Sequence, residues 1–340
     1  MSRKTLSTVL QLILFLSLGI GLIVWRYNGM TAEEKEQMFA AFGHVRWIYG
    51  IPIFIIGFLS HWFRALRWKL LLQPLGIYPT TANTTFAVLI GYLANTLVPR
   101  LGEVAKCTVL AKYEKVPADK LVGTIIAERA FDLVCLVLIA LVTLGLQYDI
   151  ISPYAQKLYQ EAFLSSDGSF IWTRMLLLAV IAAGGILAIV LLYRKIKDSK
   201  VGHIIKGIGE GLKAIGLVRH KVLFLLYTLL IWSMYTSAIV VGFYALPETE
   251  QLMPLAGLAV ITFGSIGMIL TPGGIGAYPE IVARVLTFYG IPAAYGFAYG
   301  WVSWGAQTVI VLILGLAALI LLPLYNRTSH ASVEEGIRTS

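Results

Sequence analysis

Apolar residues run along this chain in long blocks, without the alternation of a half-buried strand or the one-sided stripe of a soluble helix. Six blocks approach or exceed the roughly 20 apolar residues that a bilayer crossing needs: Leu6–Trp25, Trp47–Phe63, Leu121–Leu146, Ile171–Tyr193, Val222–Leu246 and Ala293–Leu322. Two further blocks, Thr81–Val98 and Leu255–Leu270, each run into a cluster of proline and glycine and then into a short, more polar stretch. The pattern predicts an all-α polytopic membrane protein of about six transmembrane helices plus two re-entrant broken hairpins.

Basic residues decide how those blocks are threaded, because Lys and Arg concentrate in short cytoplasmic loops. If Thr81–Val98 crossed fully, Lys106, Lys112, Lys115 and Lys120 would all face outward. Entry from the cytoplasm, a break at Pro99-Arg100-Leu101-Gly102 and a return over Glu103–Val116 remove the conflict. The return is about 21 Å long at 1.5 Å per residue, too short to span. By the same logic Leu255–Leu270 enters from outside, breaks over Thr271–Glu280 and returns through about Gly290.

This threading puts twenty of the twenty-seven Lys and Arg residues on the cytoplasmic side. Both termini are then cytoplasmic, in a multi-pass protein of the cell's inner (cytoplasmic) membrane. Residues 47–146 and 222–322 become two halves of opposite topology within one domain, 1–326. A basic linker, 194–221, joins them, with an amphipathic stretch from Lys197 to Lys221, and a disordered tail, 327–340, follows. Interrupted hydrophobic segments at matching positions of inverted halves point to a midplane binding site. Non-helical backbone at that depth is tolerated only inside protein or beside a watery cavity.

Composition agrees. Of 340 residues, 58% are hydrophobic and 13% charged, whereas soluble domains run at about 45–50% and 25%. No polar stretch is long enough for a separate soluble domain. The net charge of +9 is accounted for by orientation, so nucleic acid is not an expected partner. Cys107 and Cys135 read as free thiols. Arg64, Arg67 and Lys69 close the second block as an inner-side basic stop, and most tryptophans near block ends read as interface belts. The five histidines form no pair at metal-ligand spacing, and no cofactor is implied.

Three constellations carry candidate chemistry. At the first break, Gly102 and the unpaired amides of the return helix offer a positive dipole end to an anion. Arg100 suits a phosphate with its planar fork, and Lys106 adds a charge one turn on. Arg100 equally suits an ion pair with Glu103 or Glu128, and Glu103 equally suits the helix dipole. At the second break, Thr271-Pro272-Gly273-Gly274-Ile275-Gly276-Ala277-Tyr278-Pro279-Glu280, the glycines permit positive φ and close backbone approach to a ligand. Glu280 and Arg284 share a helix face. Glu128, Arg129 and Asp132 form the third group, whose reading divides between a structural ion network and a part in substrate or proton coupling.

The Pro99-Arg100-Leu101-Gly102-Glu103 run, the Glu128-Arg129-x-x-Asp132 run and the Thr271-Pro-Gly-Gly-x-Gly276 run, in that order, resemble the transmembrane flippase-like domain of the lysylphosphatidylglycerol synthase family. The resemblance covers nearly the whole chain. Glu280 follows Gly276 by four residues, one more than that family's pattern commonly has. The resemblance implies movement of a phospholipid between leaflets, without the aminoacyltransferase domain of the full-length synthases. The chain is thus expected to be a lipid flippase or transporter rather than an enzyme, binding an anionic or zwitterionic headgroup. Its contacts are expected from Arg100, Gly102, Glu103, Lys106, Glu128, Arg129, Asp132, Pro272, Gly273, Gly274, Gly276, Tyr278, Glu280 and Arg284. A membrane transferase acting on a polyprenyl-phosphate or phospholipid is the alternative, and a non-transporting accessory subunit is a third reading. The oligomeric state stays open, a homodimer included.

Overall fold

A computed structural model describes residues 17–98, 101–150, 152–153, 172, 176, 180 and 216–338, with backbone only at 97, 119, 272 and 328–338. Pro99, Arg100, the start of the first apolar block, nearly all of the Ile171–Tyr193 block and most of the basic linker lie outside the described residues. The chain divides into two compact units, Met1–Ile125 with Ala214–Ser340, and Ile126–Lys213.

Every regular element among the described residues is a helix, with no strand. In the first unit α1 runs through 17–29, followed by α2 (Ala32–Gly43), α3 (Gly50–Leu72), α4 (Thr81–Leu97), α5 (Leu101–Glu114) and the start of α6 (Ala118–Leu146). After the linker come α7 (Lys221–Phe243), α8 (Pro254–Leu270), α9 (Ala277–Thr287) and α10 (Ala293–Arg338). Helix starts follow local chemistry. Thr31 and Glu34 close a capping box on α2, the Thr80 hydroxyl accepts from the Asn83 amide at the head of α4, and Pro254 opens α8.

Among the described residues, three helical stretches, Trp47–Leu75, Lys221–Phe243 and Ala293–Arg327, are long and apolar enough to cross a membrane. Their faces are inverted relative to a soluble fold. Ile51, Ile55 and Phe58 stand exposed along α3, while Ser60, His61, Arg64 and Arg67 are buried. On α7, Val222, Leu225 and Leu229 are exposed whereas Thr228 is buried. An apolar outside with polar groups inside is the arrangement that hydrocarbon, not water, selects.

α3 packs along α7, and α10 packs against α9, α4 and α2. The two interrupted blocks are each realised as a pair of packed helices, α4 with α5 and α8 with α9. Both pairs are shorter than the spans: α4 and α8 have 17 residues each, α5 has 14 and α9 has 11. A cluster of Leu89, Ile90, Ala318 and Leu322, with Phe86, Val109 and Leu314 around it, locks the first pair to α10. Loops at the far ends of α3 and α7 are tied by the Arg46 amide donating to the Ala245 carbonyl at 2.8 Å and by an Arg46–Glu250 ion pair. Glu250 holds the exposed Arg46 guanidinium above its usual pKa.

Two boundaries differ from expectation. The second break is confined to Thr271–Gly276, because α9 starts at Ala277 and places Pro279 at its third position, where its missing N–H costs nothing. And α10 continues through Arg338, where the sequence predicts an irregular tail from 327. No proline follows Pro323 and the segment carries alanine and glutamate, so nothing local stops the helix. In the second unit the described part is the remainder of α6 and a few residues beyond it. Cys107 and Cys135 are not joined in a disulfide.

Candidate functional site

The interior of the first unit is built around one face of α3. Ser60, His61, Arg64, Arg67 and Trp68 recur every three to four residues, so they share that face. Arg64 and Arg67 are only 7% and 0% exposed, and Lys106 of α5 is 8% exposed. Arg64 donates to the Tyr235 hydroxyl at 3.1 Å, and its guanidinium stands 5.8 Å from the Tyr92 ring centre. Arg67 donates to Thr228 Oγ1 at 3.3 Å and lies over the Phe224 ring. The Lys106 ammonium sits 3.9 Å above the Trp68 ring, and the Trp68 indole N–H donates to Thr124 Oγ1 at 2.8 Å. The His61 ring packs against Tyr92 at a tilt of 46°, with ring centres 4.4 Å apart. Each buried cation thus rests against an aromatic face, Arg64 and Arg67 also donate to hydroxyls, and all three lie within helices whose outsides are apolar.

Arg64 and Arg67, two of the three residues read as a basic stop, turn inward and are buried. The signal was present in their spacing from His61 and Trp68, which puts them on one face, whereas a basic stop needs only to be clustered.

At the first break, α5 begins at Leu101, and the Gly102 amide donates to Asn95 Oδ1 at 2.8 Å. That donor is therefore satisfied within the helix pair, not held open for an anion. Gly102 also lets α5 approach α4: a Cβ there would strike the Gly91 carbonyl oxygen and the Asn95 side chain. Glu103 is half-buried in the first turn of α5.

Gly273, Gly274 and Gly276 at the second break all have positive φ, at 63°, 77° and 74°. That explains three glycines in four residues. The turn is pinned by Thr271 Oγ1 donating to the Ile275 carbonyl at 2.9 Å and by the Trp304 indole donating to the Gly273 carbonyl at 2.6 Å. Its close approach is to protein: Gly276 is packed on the Gly19 carbonyl of α1, and Gly273 alone of the three is exposed. Residues Pro272–Gly274 also lie against α4, the helix leading into the first break.

Tyr278 is buried and its hydroxyl lies 3.1 Å from Ser303 Oγ. Glu280 accepts from Arg284 Nε at 2.7 Å and faces Arg26 Nε at 3.4 Å. Arg26 was absent from the sequence candidates because it belongs to a different helix. In the second unit, Glu128 is buried on α6, Asp132 is half-buried and Arg129 is exposed. Among the described residues, no cluster of His, Cys, Asp and Glu is arranged to hold a metal ion.

The family described as lysylphosphatidylglycerol synthase TM region matches residues 9–327. The chain belongs to that family. A UPF0104 membrane protein of Methanocaldococcus jannaschii is 21% identical over 334 residues, covering 94% of this chain and 96% of that protein. No solved structure matches the chain. Membership in this family accords with the inverted faces of α3 and α7 and with the three membrane-capable stretches.

Proposed function

We propose that this family member carries a lipid with a phosphate-bearing headgroup between leaflets, the headgroup passing through the polar interior while the acyl chains stay in lipid. The observation that carries the proposal is the pair of buried cations Arg64 and Arg67 on the inner face of a span that is apolar on its outer face, together with the buried Lys106 of α5. Ionisable groups at membrane depth are costly and mark pathways or internal pairs. Two guanidiniums one turn apart with planar donor forks match the oxygens of a phosphate, and aromatic walls tolerate a moving cation or amine.

The α4–α5 and α8–α9 pairs are read as re-entrant hairpins of inverted halves, with both termini on the cytoplasmic side of the cell membrane. Support comes from their lengths, which fall short of a roughly 30 Å hydrocarbon core, and from the contact of the second break with α4. Arg100, Glu103, Glu128, Arg129 and Asp132 remain candidates for the headgroup route, and Gly273 is the exposed part of the second break. Transfer between leaflets changes no covalent bond, so the reading is of a carrier and not of an enzyme.

The test is leaflet exchange of fluorescent phosphatidylglycerol in proteoliposomes, read by dithionite quenching. Wild-type protein is expected to speed exchange and Arg64→Gln to lose about tenfold, the loss of one charge-assisted contact. Absence of exchange by wild type, or an unchanged rate in a folded Arg64→Gln protein, overturns the reading.

A further inference from the structure

An open-sided groove of about 300 Å³ lies in the first unit among α1, α2 and the start of α10. Ile23 and Tyr27 of α1, Met38 and Phe42 of α2, and Phe297 and Trp301 of α10 form its wall, which is wholly apolar. Its size falls at the low end for small-molecule sites, enough for a chain and not for a bulky headgroup.

Beside this wall stands Arg26. Ile23, Arg26 and Tyr27 are spaced i, i+3, i+4, so the arginine shares the groove-facing side of α1. Its guanidinium carbon is 5.9 Å from the centre of the Phe297 ring. Its Nε and one terminal nitrogen are buried, and neither makes a hydrogen bond. The partner carboxylate, Glu280, stands 3.4 Å from Arg26 Nε and is already engaged by Arg284. Two guanidiniums around one carboxylate leave the group with an excess positive charge. A second cation, Lys35, lies 4.5 Å over the Tyr27 ring.

We infer that this groove is a binding site for one acyl chain of an anionic phospholipid, whose phosphate is held by Arg26. In a bilayer an apolar opening beside a spanning helix is filled by hydrocarbon, but hydrocarbon gains nothing by leaving lipid for an equally apolar wall. Selectivity therefore falls to the charged rim. A phosphate at the accessible edge of the Arg26 side chain, which is 19% exposed, balances the excess charge, which a lipid without net charge does less well. The site is separate from the α3 interior and does not depend on translocation, so it stands or falls apart from the carrier reading.

The experiment is native mass spectrometry of the full chain from nanodiscs holding equal phosphatidylglycerol and phosphatidylcholine. Wild type is expected to retain phosphatidylglycerol in preference. Arg26→Gln and the groove-filling Ile23→Trp are each expected to cut that retention about tenfold, while Arg46→Gln, which removes the same charge at the α3–α7 loops, leaves it unchanged. Equal retention of both lipids by wild type, undiminished retention by Arg26→Gln, or an equal loss in Arg46→Gln overturns the inference.

Where Arg26→Gln fails to fold, quenching of wild-type tryptophan fluorescence by chain-brominated lipids decides. Brominated phosphatidylglycerol is expected to quench more than brominated phosphatidylcholine, and Trp301→Phe to erase the difference. Equal quenching by the two lipids, or a difference that survives Trp301→Phe, overturns the inference.

Discussion

The Lys106 ammonium rests 3.9 Å from the Trp68 ring centre, and Trp68 in turn is fixed by its indole hydrogen bond to Thr124. A cation desolvated over an indole gains about 2 kcal/mol. A double-mutant cycle of Lys106→Met and Trp68→Leu, read by denaturation in detergent, is expected to give a coupling of about 1–2 kcal/mol. Additive effects would show that the ring does not hold the ammonium.

Tyr235→Phe removes the hydroxyl that accepts from Arg64 while keeping the ring beneath the guanidinium. Stability is expected to fall by about 1–2 kcal/mol, as for a hydrogen bond to a charged group. Phosphatidylglycerol exchange in proteoliposomes is expected to fall severalfold, because the guanidinium loses its orientation. An exchange rate equal to wild type would show that Arg64 is positioned by its other neighbours.

Glycine substitutions should divide sharply. Gly102→Ala puts a methyl into the Gly91 carbonyl and the Asn95 side chain, whereas a Cβ at Gly123 or Gly145 meets nothing within 4 Å. Gly102→Ala is expected to lose several kcal/mol or all folded protein. Gly123→Ala is expected to be neutral or to gain up to about 1 kcal/mol through helix propensity. Thermal unfolding of the purified variants reads both.

Glu280 and Arg284 form one ion pair, yet their removal should not cost the same. The Arg284 side chain is 65% exposed and that of Glu280 only 10%. Arg284→Ala removes a pair screened by its surroundings, worth about 1 kcal/mol or less. Glu280→Ala strands Arg26, and the cost of an uncompensated buried charge is expected near 3 kcal/mol. Equal shifts in midpoint temperature would show that Arg26 finds another anion.

How much of this was legible follows from where each signal resides. The second break was legible because positive φ is a local demand that glycine meets, and three of the four residues from Gly273 to Gly276 are glycine. The helix pairs were legible for the same reason, since proline and glycine interrupt apolar runs. The inward turn of Arg64 and Arg67 was not read, because hydropathy and the positive-inside rule weigh a charge by its place along the chain and not by its side of the helix. Arg26 escaped because its partner Glu280 lies on a distant helix, and nothing between them in sequence announces the contact. The satisfied amide of Gly102 depends on the side chain of Asn95, seven residues back, reaching across a turn that sequence reads only as open.

Gly19 and Gly276 meet with backbone against backbone: a Cβ on Gly19 would come within 2.8 Å of the Ile275 carbonyl oxygen, and one on Gly276 would strike the Gly19 carbonyl. Two surfaces this close have no side chain between them to bend. Neither glycine can take a side chain without parting α1 from the second break, so that seam holds only while both positions stay bare.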